Sequence, residues 1–483
     1  MKRSASPELP LAAETRGKFA ALYGALRQAI AEHRLSAGAR LPSSRDFAAQ
    51  QGVARGTVVA VFEQLTADGF LESRAGAGTF VRASLSRNER RPRPVARGAL
   101  PIKPVVASPF VEHRQEPRPF RTNVPAADLF PRAAWARIAG RHWRRARLDT
   151  LADEDPRGLP ALRSALAEHL ATTRGIRCGV DNIVITPSTQ ASLDLIARVT
   201  LSPKDAVWVE DPGYVGARAL LRQAGATVVS VPVDAQGMDI DAAASRKPPR
   251  LIHVTPAHQS PLGVTLSLPR RQALLERARR ANALVFEDDY DGEFRFGTRP
   301  LAALQSMDSD GRVVHAGSFS KTLLSSLRLA YMVVPDSLID AVTALLSLTL
   351  RFVSPHDQAV LAAFMGEGHF SRHVRRLRDA YGARHAMLRS ECERLLGGIV
   401  SFNAPAAGLD GVAWLPRHWS DTRTSRRLAA EGIETRPLSQ YRLARGGAPG
   451  LVLGVAAFDE AAIRLAVGRM AATLASVAKE NRR

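Results

Sequence analysis

The stretch "GSFSKTLLSSLRLAYMVV" occupies residues 317–334 and is the starting point for predicting the fold of the larger part of the chain. A hydroxyl-rich turn leads to Lys321, Arg328 follows seven residues later, and a strand-like apolar run comes next. A lysine amine can form an imine with an aldehyde, and arginine together with the hydroxyls of Ser318 and Ser320 can bind a phosphate. The stretch therefore predicts a lysine that holds a phosphorylated aldehyde cofactor.

The chain around this lysine, from about residue 119 to 483, alternates strand-period and helix-period runs. The strand candidates are residues 182–186, 206–210, 227–233, 250–256, 283–290 and 312–317. Such alternation predicts an α/β domain with a mainly parallel sheet and flanking helices. Ligands bind at the carboxyl ends of strands in open α/β sheets. Four candidates end in PSTQ, DPGY, DDYDGEFR and SFSK, which predicts one shared cofactor site.

These strand ends supply the groups that one particular cofactor needs. Ser188 and Thr189 precede a helical pattern, and a helix N-terminus binds phosphate readily. Asp288 can keep a pyridine nitrogen protonated, Tyr290 can hydrogen-bond a phenolate oxygen, and Tyr214 can stack on a planar ring. An aldehyde, a phosphate, a pyridine nitrogen and a phenolate together specify pyridoxal 5′-phosphate.

Each residue taken alone also allows a simpler interpretation. Lys321 is compatible with an ordinary surface lysine, and Tyr214 with a turn residue. The turn EDDYDGE at 287–293 is compatible with a solvated acidic turn or a Mg²⁺ site. His258, in TPAHQSPLG, is compatible equally with a polar turn residue and with a substrate or effector contact. The order of all these residues along the chain favours the cofactor site without a metal.

Residues 13–82 carry a different pattern, that of a winged helix-turn-helix. An apolar helix face is predicted from Phe19, Leu22, Tyr23, Leu26 and Ile30. Ser43 and Asp46 mark the start of a second short helix, and Gly52 ends it. A third helix, stopped by Gly69, has Val58, Val61, Phe62 and Leu65 on one face. A glycine-rich hairpin follows, as in a winged helix-turn-helix domain. In such a domain the second helix of the helix-turn-helix enters the DNA major groove.

The residues predicted to contact double-stranded DNA lie at the start of that third helix, before the second helix and in the wing. They are Ser43, Arg45, Arg55, Gly56, Thr57 and Arg74. The alternative is a small helical domain that binds no nucleic acid. The combination of helix spacing, tight turn and wing favours the DNA-binding interpretation.

Composition agrees with a nucleic-acid partner without establishing one. The chain has 483 residues and a formal net charge of +21, with 67 Lys and Arg against 46 Asp and Glu. An excess of this size indicates a polyanionic partner, although a codon bias toward arginine would produce the same excess. Residues 83–118 contain eight Lys or Arg, three acids and six prolines, which predicts an extended linker.

Other sequence features bear on where the protein functions. The two cysteines, Cys178 and Cys392, form no disulfide framework and no zinc site. The start MKRSASPELP has no apolar segment typical of a secretory signal, and no run of 18 apolar residues appears. A cytoplasmic protein without a membrane span is expected.

Both parts of the chain resemble known families. LPSSRDFA, GVARGTV and LTADGFLESRAGAGTFV, within residues 19–82, resemble the GntR-type winged helix. DPRGLPALRSALAEHL, VEDPGY, TPAHQSPLG, EDDYDGEFR and GSFSKTLLSSLRLAY resemble the fold-type-I aminotransferases. Together they resemble the MocR-type regulators, in which the two domains are joined.

The resemblance implies a role for each residue of the cofactor site. It implies that Lys321 is the Schiff-base lysine, that Asp288 faces the pyridine nitrogen, that Tyr290 faces the ring oxygen and that Tyr214 stacks on the ring. It also implies a homodimer. The implied phosphate ligands are Ser188, Thr189, Ser318 and Arg328.

Three positions depart from the family patterns. Ala54 stands where GntR-type domains usually have a serine cap, and His33 stands where a glycine often ends the first helix. Many aminotransferases hold the substrate carboxylate with a late arginine. Here LVLGVAAF at 451–458 has Val452 at that position, and Arg436 is the nearest replacement.

The predicted function is a DNA-binding transcriptional regulator that senses a small amine, an amino acid or pyridoxal 5′-phosphate itself through Lys321. A working aminotransferase with a DNA-binding appendage is the first alternative. A DNA-binding protein whose large domain only dimerises is the second. The intact set of Lys321, Asp288, Tyr290 and Arg328 argues against the second, and Val452 argues mildly against the first.

Overall fold

The structure is a computed structural model, and it describes residues 17–82, 105–109, 117–145, 155–296, 301–403 and 406–480. The chain divides into two compact units, residues 1–103 and 104–483, and each is described by itself. Most of the predicted linker at 83–118 lies outside the described residues. The domain boundaries at 82 and 118 therefore stay predictions.

The first unit is three helices followed by a two-stranded hairpin. Its elements are α1 (Lys18–Ala31), α2 (Ser44–Gln51), α3 (Arg55–Ala67), β1 (Leu71–Arg74) and β2 (Gly78–Val81). The predicted face of α3, which consists of Val58, Val61, Phe62 and Leu65, is buried. The rings of Phe47 and Phe62 lie 5.5 Å apart and join α2 to α3 in the core.

Local chemistry explains where these helices begin and end. The Ser43 hydroxyl accepts a hydrogen bond from the Asp46 amide at 3.2 Å, which caps α2. Gly52 ends α2 with a φ of 62°, and His33 follows α1 with a φ of 58°. Ala54 caps α3 without any side-chain hydrogen bond, as its side chain predicts.

One part of the predicted α1 face is wrong. Leu22, Leu26 and Ile30 are buried, but Phe19 is 41% exposed and stacks on the Tyr23 ring instead of entering the core. Phe19 lies in the first turn of the helix.

The second unit is built on an eight-stranded sheet. Its strands are β3 (Ile183–Thr186), β4 (Ala206–Asp211), β5 (Thr227–Asp234), β6 (Gly237–Met238), β7 (Leu251–Val254), β8 (Leu284–Asp289), β9 (Val313–Ser318) and β10 (Ala330–Val333). The strand order is β3-β10-β9-β8-β7-β4-β5-β6. Strands β9, β8, β7, β4 and β5 are parallel. Strand β10 is antiparallel to both β3 and β9, so β3 runs in the direction of the parallel set.

The predicted α/β class and mainly parallel sheet are confirmed, and all six predicted strands are present. Helices cover the sheet, because each parallel crossover must return over one of its faces. The helices of this unit are α4 (Arg132–Arg145), α5 (Pro160–Arg174), α6 (Thr189–Thr200), α7 (Val215–Gln223), α8 (Leu268–Ala281), α9 (Asp336–Thr349), α10 (Pro355–Gly366), α11 (His369–Leu396), α12 (Asp421–Ala430) and α13 (Glu460–Glu480).

A second, smaller sheet near the carboxyl terminus was not predicted. It consists of β11 (Ser401–Asn403), β12 (Asp410–Trp414), β13 (Arg436–Pro437) and β14 (Gly450–Gly454), in the order β11-β12-β14-β13. All of its pairings are antiparallel. Two of the strands have only two or three residues, which is too short for a recognisable alternation of apolar and polar residues.

Helix α13 is the one described helix long and apolar enough to cross a membrane by length and composition. Ile463, Val467, Met470 and Leu474 on this helix are buried in the same cluster as residues of α11 and β14. Its apolar face is thus part of the core of the domain.

Candidate functional site

The carboxyl ends of β3, β4, β8 and β9 meet around a cavity of about 580 Å³. The strands that precede these ends run in one direction, so the loops that follow them lie at one edge of the sheet. Ten of the residues singled out from the sequence line this cavity: Ser188, Thr189, Tyr214, Asp288, Tyr290, Ser318, Ser320, Lys321, Arg328 and Arg436.

One end of the cavity is suited to a phosphate group. Ser188 caps α6, and its hydroxyl accepts from the Ala191 amide at 3.1 Å, which leaves its hydrogen for an acceptor in the cavity. The Ser318 hydroxyl accepts from the Ser320 amide at 3.0 Å in the same way. Arg328 is exposed and, within the described part of the chain, forms no ion pair. A helix N-terminus, hydroxyls and a guanidinium fit a phosphate.

The buried carboxylate of Asp288 has an oxygen without a hydrogen-bond partner in the described part of the chain, which indicates a binding position for a ligand. This residue is only 5% exposed, and its Oδ1 has no hydrogen-bond partner among the described residues. Its Oδ2 lies 3.7 Å from Nε2 of His253. A buried carboxylate oxygen without a partner is unfavourable, so a protonated ring nitrogen at this wall would satisfy it.

The acidic residues around Asp288 have separate partners and do not converge on a metal. The Asp289 carboxylate accepts from Arg174 at 2.6 Å, on the other face of the strand. The Asp291 carboxylate lies 2.9 Å from Nδ1 of His258. In the described part of the chain, no group of three His, Cys, Asp or Glu side chains is placed to hold a metal ion.

Lys321 is half-buried and extends into the cavity, where its Nζ donates to the backbone carbonyl of Asn123 at 2.6 Å. Burial lowers the pKa of Lys321, while the carboxylates of Asp410, Asp291 and Asp288 act in the opposite direction. A lowered pKa increases the fraction of neutral amine, which is the form that attacks a carbonyl carbon. The simple surface lysine is therefore not what the fold provides.

Of the two interpretations of His258, the structure favours the polar turn residue over the effector contact. His258 is 5% exposed and lies behind Tyr290, outside the cavity wall. Its Nδ1 is 2.9 Å from Asp291 and 3.1 Å from the Tyr290 hydroxyl oxygen. On its other side, a Cβ at Gly408 would come within 2.0 Å of the imidazole. The loop after β7 turns away from the cavity at this residue.

The same geometry gives His258 a supporting role. An ionised carboxylate can only accept a hydrogen bond, so Nδ1 of His258 carries a hydrogen directed at Asp291. The Tyr290 oxygen, close to the same nitrogen, then accepts rather than donates. The hydroxyl hydrogen of Tyr290 remains available to an acceptor such as a phenolate oxygen in the cavity.

Arg436 lies directly opposite the position where an arginine was expected. It is on β13, and its cross-strand partner on β14 is Val452. Since paired residues in a sheet share a face, Arg436 presents a guanidinium beside the Val452 side chain. Burial raises the pKa of the cavity residue Tyr441 to about 12, with Arg436 acting in the opposite direction.

Several cavity residues were missed at the level of sequence. Three of them precede α4 in a stretch without a recognisable motif: Arg121, Thr122 and Asn123. In the structure the Arg121 guanidinium pairs with Glu434 at 2.6 Å. The other missed residues are Val124, Gln190, Val215, Thr255, Ser260 and Tyr441. TPAHQSPLG contains both Thr255 and Ser260, so its polar residues other than His258 were the available indication.

The residues predicted to contact DNA lie on the surface of the first unit. Arg45, Arg55 and Gly56 are exposed and Thr57 is half-buried. A Cβ added at Gly56 would meet nothing within 4 Å, so the fold does not require glycine there. Ser43 is engaged in capping α2. Arg74 contacts Glu72 and lies over the Phe80 ring, 4.8 Å from its centre.

Comparison with known proteins supports both units. Residues 19–81 match the family "Bacterial regulatory proteins, gntR family", and residues 130–470 match "Aminotransferase class I and II". The "Probable rhizopine catabolism regulatory protein MocR" of Rhizobium meliloti is 36% identical over 92% of this chain and 91% of its own length. The chain belongs to the MocR-type transcriptional regulators. The predicted winged helix, aminotransferase-like domain and regulatory function are confirmed.

Other MocR-type regulators and solved aminotransferases agree with this assignment. The "HTH-type pyridoxine biosynthesis transcriptional regulator PdxR" of Corynebacterium glutamicum is 30% identical, with 91% and 92% of the two chains covered. The structure of LysN from Thermus thermophilus, complexed with N-(5′-phosphopyridoxyl)-L-leucine, has 28% identity and a TM-score of 0.68, covering 74% of this chain and 92% of LysN. The predicted cofactor class, pyridoxal 5′-phosphate, is supported for this MocR-type chain.

Proposed function

We propose that this MocR-type regulator uses pyridoxal 5′-phosphate at Lys321 to sense a small amine or amino acid and adjusts its affinity for operator DNA accordingly. The cavity supports the proposal because it is lined both by Lys321 and by Asp288, whose Oδ1 has no hydrogen-bond partner among the described residues. A ligand can shift DNA affinity only if it binds two states of the protein differently. We propose a homodimer that acts in the cytoplasm, where its DNA is.

Bound pyridoxal 5′-phosphate supplies an aldehyde that condenses reversibly with primary amines. Lys321 would hold it covalently, Asp288 would face its ring nitrogen, and Tyr290 would donate to its ring oxygen. Tyr214 would stack on the ring, and Arg436 would bind an acid group of the effector. The residues proposed to hold the phosphate are Ser188, Thr189, Ser318 and Arg328.

The position of Arg436 also favours the second candidate function, a working aminotransferase. Val452 removes the expected carboxylate ligand, but Arg436 supplies a guanidinium from the neighbouring strand. Because the Arg436 guanidinium comes from β13, it would hold an acid group at a different place from an arginine at position 452 on β14. A displacement of the reacting atoms by about 1 Å can cost about 10²-fold in rate. Binding of an amine requires less exact placement than repeated turnover, and this difference favours the sensor.

The deciding experiment measures binding and turnover on the same cofactor-loaded preparation. Amines and amino acids are titrated while visible absorbance and affinity for a DNA fragment are recorded, and keto acid release is measured in parallel. The sensor predicts that an amine changes both absorbance and DNA affinity with slow release of keto acid. Rapid multiple turnover, with DNA affinity unchanged by every amine, would establish the aminotransferase instead.

Arg55→Ala is expected to weaken specific DNA binding by about 1–3 kcal/mol if Arg55, which is exposed at the start of α3, reads a base edge. The measurement compares the full-length parent and variant on DNA selected from a random pool and on unselected DNA. Arg34→Ala is the control, since Arg34 pairs with Glu32 beyond the end of α1. Equal losses on both DNAs would make Arg55 a phosphate contact.

Leu348→Asp is expected to dissociate the proposed homodimer. Leu348 is 83% exposed at the end of α9, and Leu350 and Phe352 close to it are 40% and 37% exposed. Neighbouring exposed apolar side chains of this size are typical of an interface. Sedimentation at micromolar concentration would show a dimer for the parent and a smaller species for the variant. The control is Leu465→Asp, which changes a leucine 63% exposed on α13.

A parent that sediments as a monomer would contradict the homodimer. Unchanged sedimentation of Leu348→Asp, with a dimeric parent, would place the interface elsewhere.

A further inference from the structure

A groove of about 490 Å³ lies in the first unit between α3, the start of α2 and the hairpin of β1 and β2. This wing groove has a polar lining that includes Arg40, Ser44 of α2, Glu63 of α3, and Ser73 and Thr79 of the hairpin. A recognition helix enters the DNA major groove, and one sugar–phosphate strand separates that groove from the next minor groove. The wing groove is therefore a place for this strand beside α3.

The backbone around Arg40 is fixed to the wing. The Leu41 amide donates to the Thr79 carbonyl at 2.8 Å, and Arg40 forms an antiparallel bridge with Phe80. The Arg40 guanidinium lies against the wing at Gly78, where a Cβ would be only 3.1 Å from its Nε. These contacts hold the guanidinium in the groove before any ligand binds, which lowers the cost of ordering it on binding.

Arg40 is a cation without a counter-charge in this groove. It is exposed, and among the described residues it forms no ion pair at 4 Å or less. Arg74, which is also on the wing, is by contrast paired with Glu72 at 2.5 Å. Glu63 lines the same groove but does not come within 4 Å of Arg40. The guanidinium is thus open to an anion from outside the chain.

We propose that the wing groove binds a phosphate of the DNA backbone through Arg40, with the hydroxyls of Ser44, Ser73 and Thr79 as further donors. Arginine guanidiniums and serine or threonine hydroxyls are common donors to DNA phosphates, and such contacts set the position of the protein without reading sequence. The Glu63 carboxylate repels a phosphate and keeps it on the wing side of the groove. The inference rests on the DNA binding in the proposed function and adds a site to it.

The test measures how the DNA affinity of Arg40→Ala depends on salt. The full-length parent and variant are titrated with a selected DNA fragment and with unselected DNA of equal length, at about 50 to 200 mM salt. One lost phosphate contact reduces the slope of log affinity against log salt by about 0.9. The ratio of parent to variant affinity is then about 3.5 times greater at 50 mM than at 200 mM salt, on both DNAs. Arg40→Lys is expected to retain most of the slope, because an ammonium also neutralises a phosphate.

Two further variants separate a phosphate contact from a general effect of charge or folding. Arg27→Ala removes the same charge from α1, outside the groove, and is expected to keep the slope of the parent. Glu63→Gln removes the repelling carboxylate and is expected to strengthen binding to both DNAs. Thermal unfolding and the visible absorbance of the loaded cofactor show that each variant is folded.

The outcomes separate this inference from the function on which it rests. A slope of Arg40→Ala equal to that of the parent, or an affinity loss confined to the selected DNA, overturns the phosphate site while DNA binding stands. Weaker DNA binding by Glu63→Gln also overturns it, because Arg40 would then depend on that carboxylate. A parent that binds neither DNA overturns the regulator itself, and the site with it.

Discussion

Lys321→Ala is expected to abolish the covalent attachment of pyridoxal 5′-phosphate and, with it, every amine-dependent change in DNA affinity. The fold is expected to persist, because the Lys321 side chain is half-buried at a cavity and, among the described residues, its Nζ is hydrogen-bonded to the Asn123 carbonyl alone. Purified parent and variant are compared by visible absorbance after gel filtration, by borohydride trapping followed by mass spectrometry, and by DNA binding with and without amines.

Lys247→Ala is a matched control for this change. Its Nζ also donates to a backbone carbonyl, that of Lys204 at 2.8 Å, but it lies on the surface and away from the cavity. Trapped cofactor in Lys321→Ala at the level of the parent would refute the assignment of this lysine. Loss of trapping in Lys247→Ala would point to a general effect on the protein.

Asp288→Asn is expected to weaken the binding of pyridoxal 5′-phosphate by about tenfold or more. An opposite charge close to a titratable group shifts its pKa by roughly 1–3 units, so removing the carboxylate disfavours the protonated ring nitrogen. The expected loss is largest at low pH, where the ring nitrogen is protonated both free and bound, and becomes smaller as the pH rises through the raised pKa of the bound ring nitrogen. Equilibrium dialysis between pH 6 and 9 measures it.

Substitution of the neighbouring Asp289 is the control for Asp288→Asn. Asp289→Asn breaks the buried pair with Arg174, so a loss of stability of about 3–5 kcal/mol is expected, seen in thermal unfolding. Cofactor affinity is expected to change much less than in Asp288→Asn, because Asp289 faces the other side of the sheet. Identical affinity of Asp288→Asn and the parent across this pH range would remove Asp288 from the ring nitrogen.

The locally encoded features were predictable from sequence. Ser43 and Gly52 bound α2 because a hydroxyl cap and a left-handed glycine act on amides and carbonyls only a few residues away. The strands that carry Asp288 and Lys321 were recognisable because buried parallel strands are continuous apolar runs. Their shared edge then followed from the common direction of parallel strands.

The nearest neighbours in the cavity could not be predicted in this way. Asn123 meets Lys321 across 198 residues, and Arg436 lies opposite Val452 only because β13 and β14 pair in that register. His258 stands in a motif beside the site, yet the turn after β7 places it behind Tyr290.

The difference between the features predictable from sequence and those seen only in the structure has a physical cause. Periodicity, caps and turn residues act over a few positions of the chain, so the sequence alone determined the winged helix, the parallel strands and the lysine at the end of β9. Which distant side chains touch depends on how separately formed elements pack and in which register their strands pair. Only the tertiary structure therefore placed Asn123 beside Lys321 and kept His258 out of the cavity.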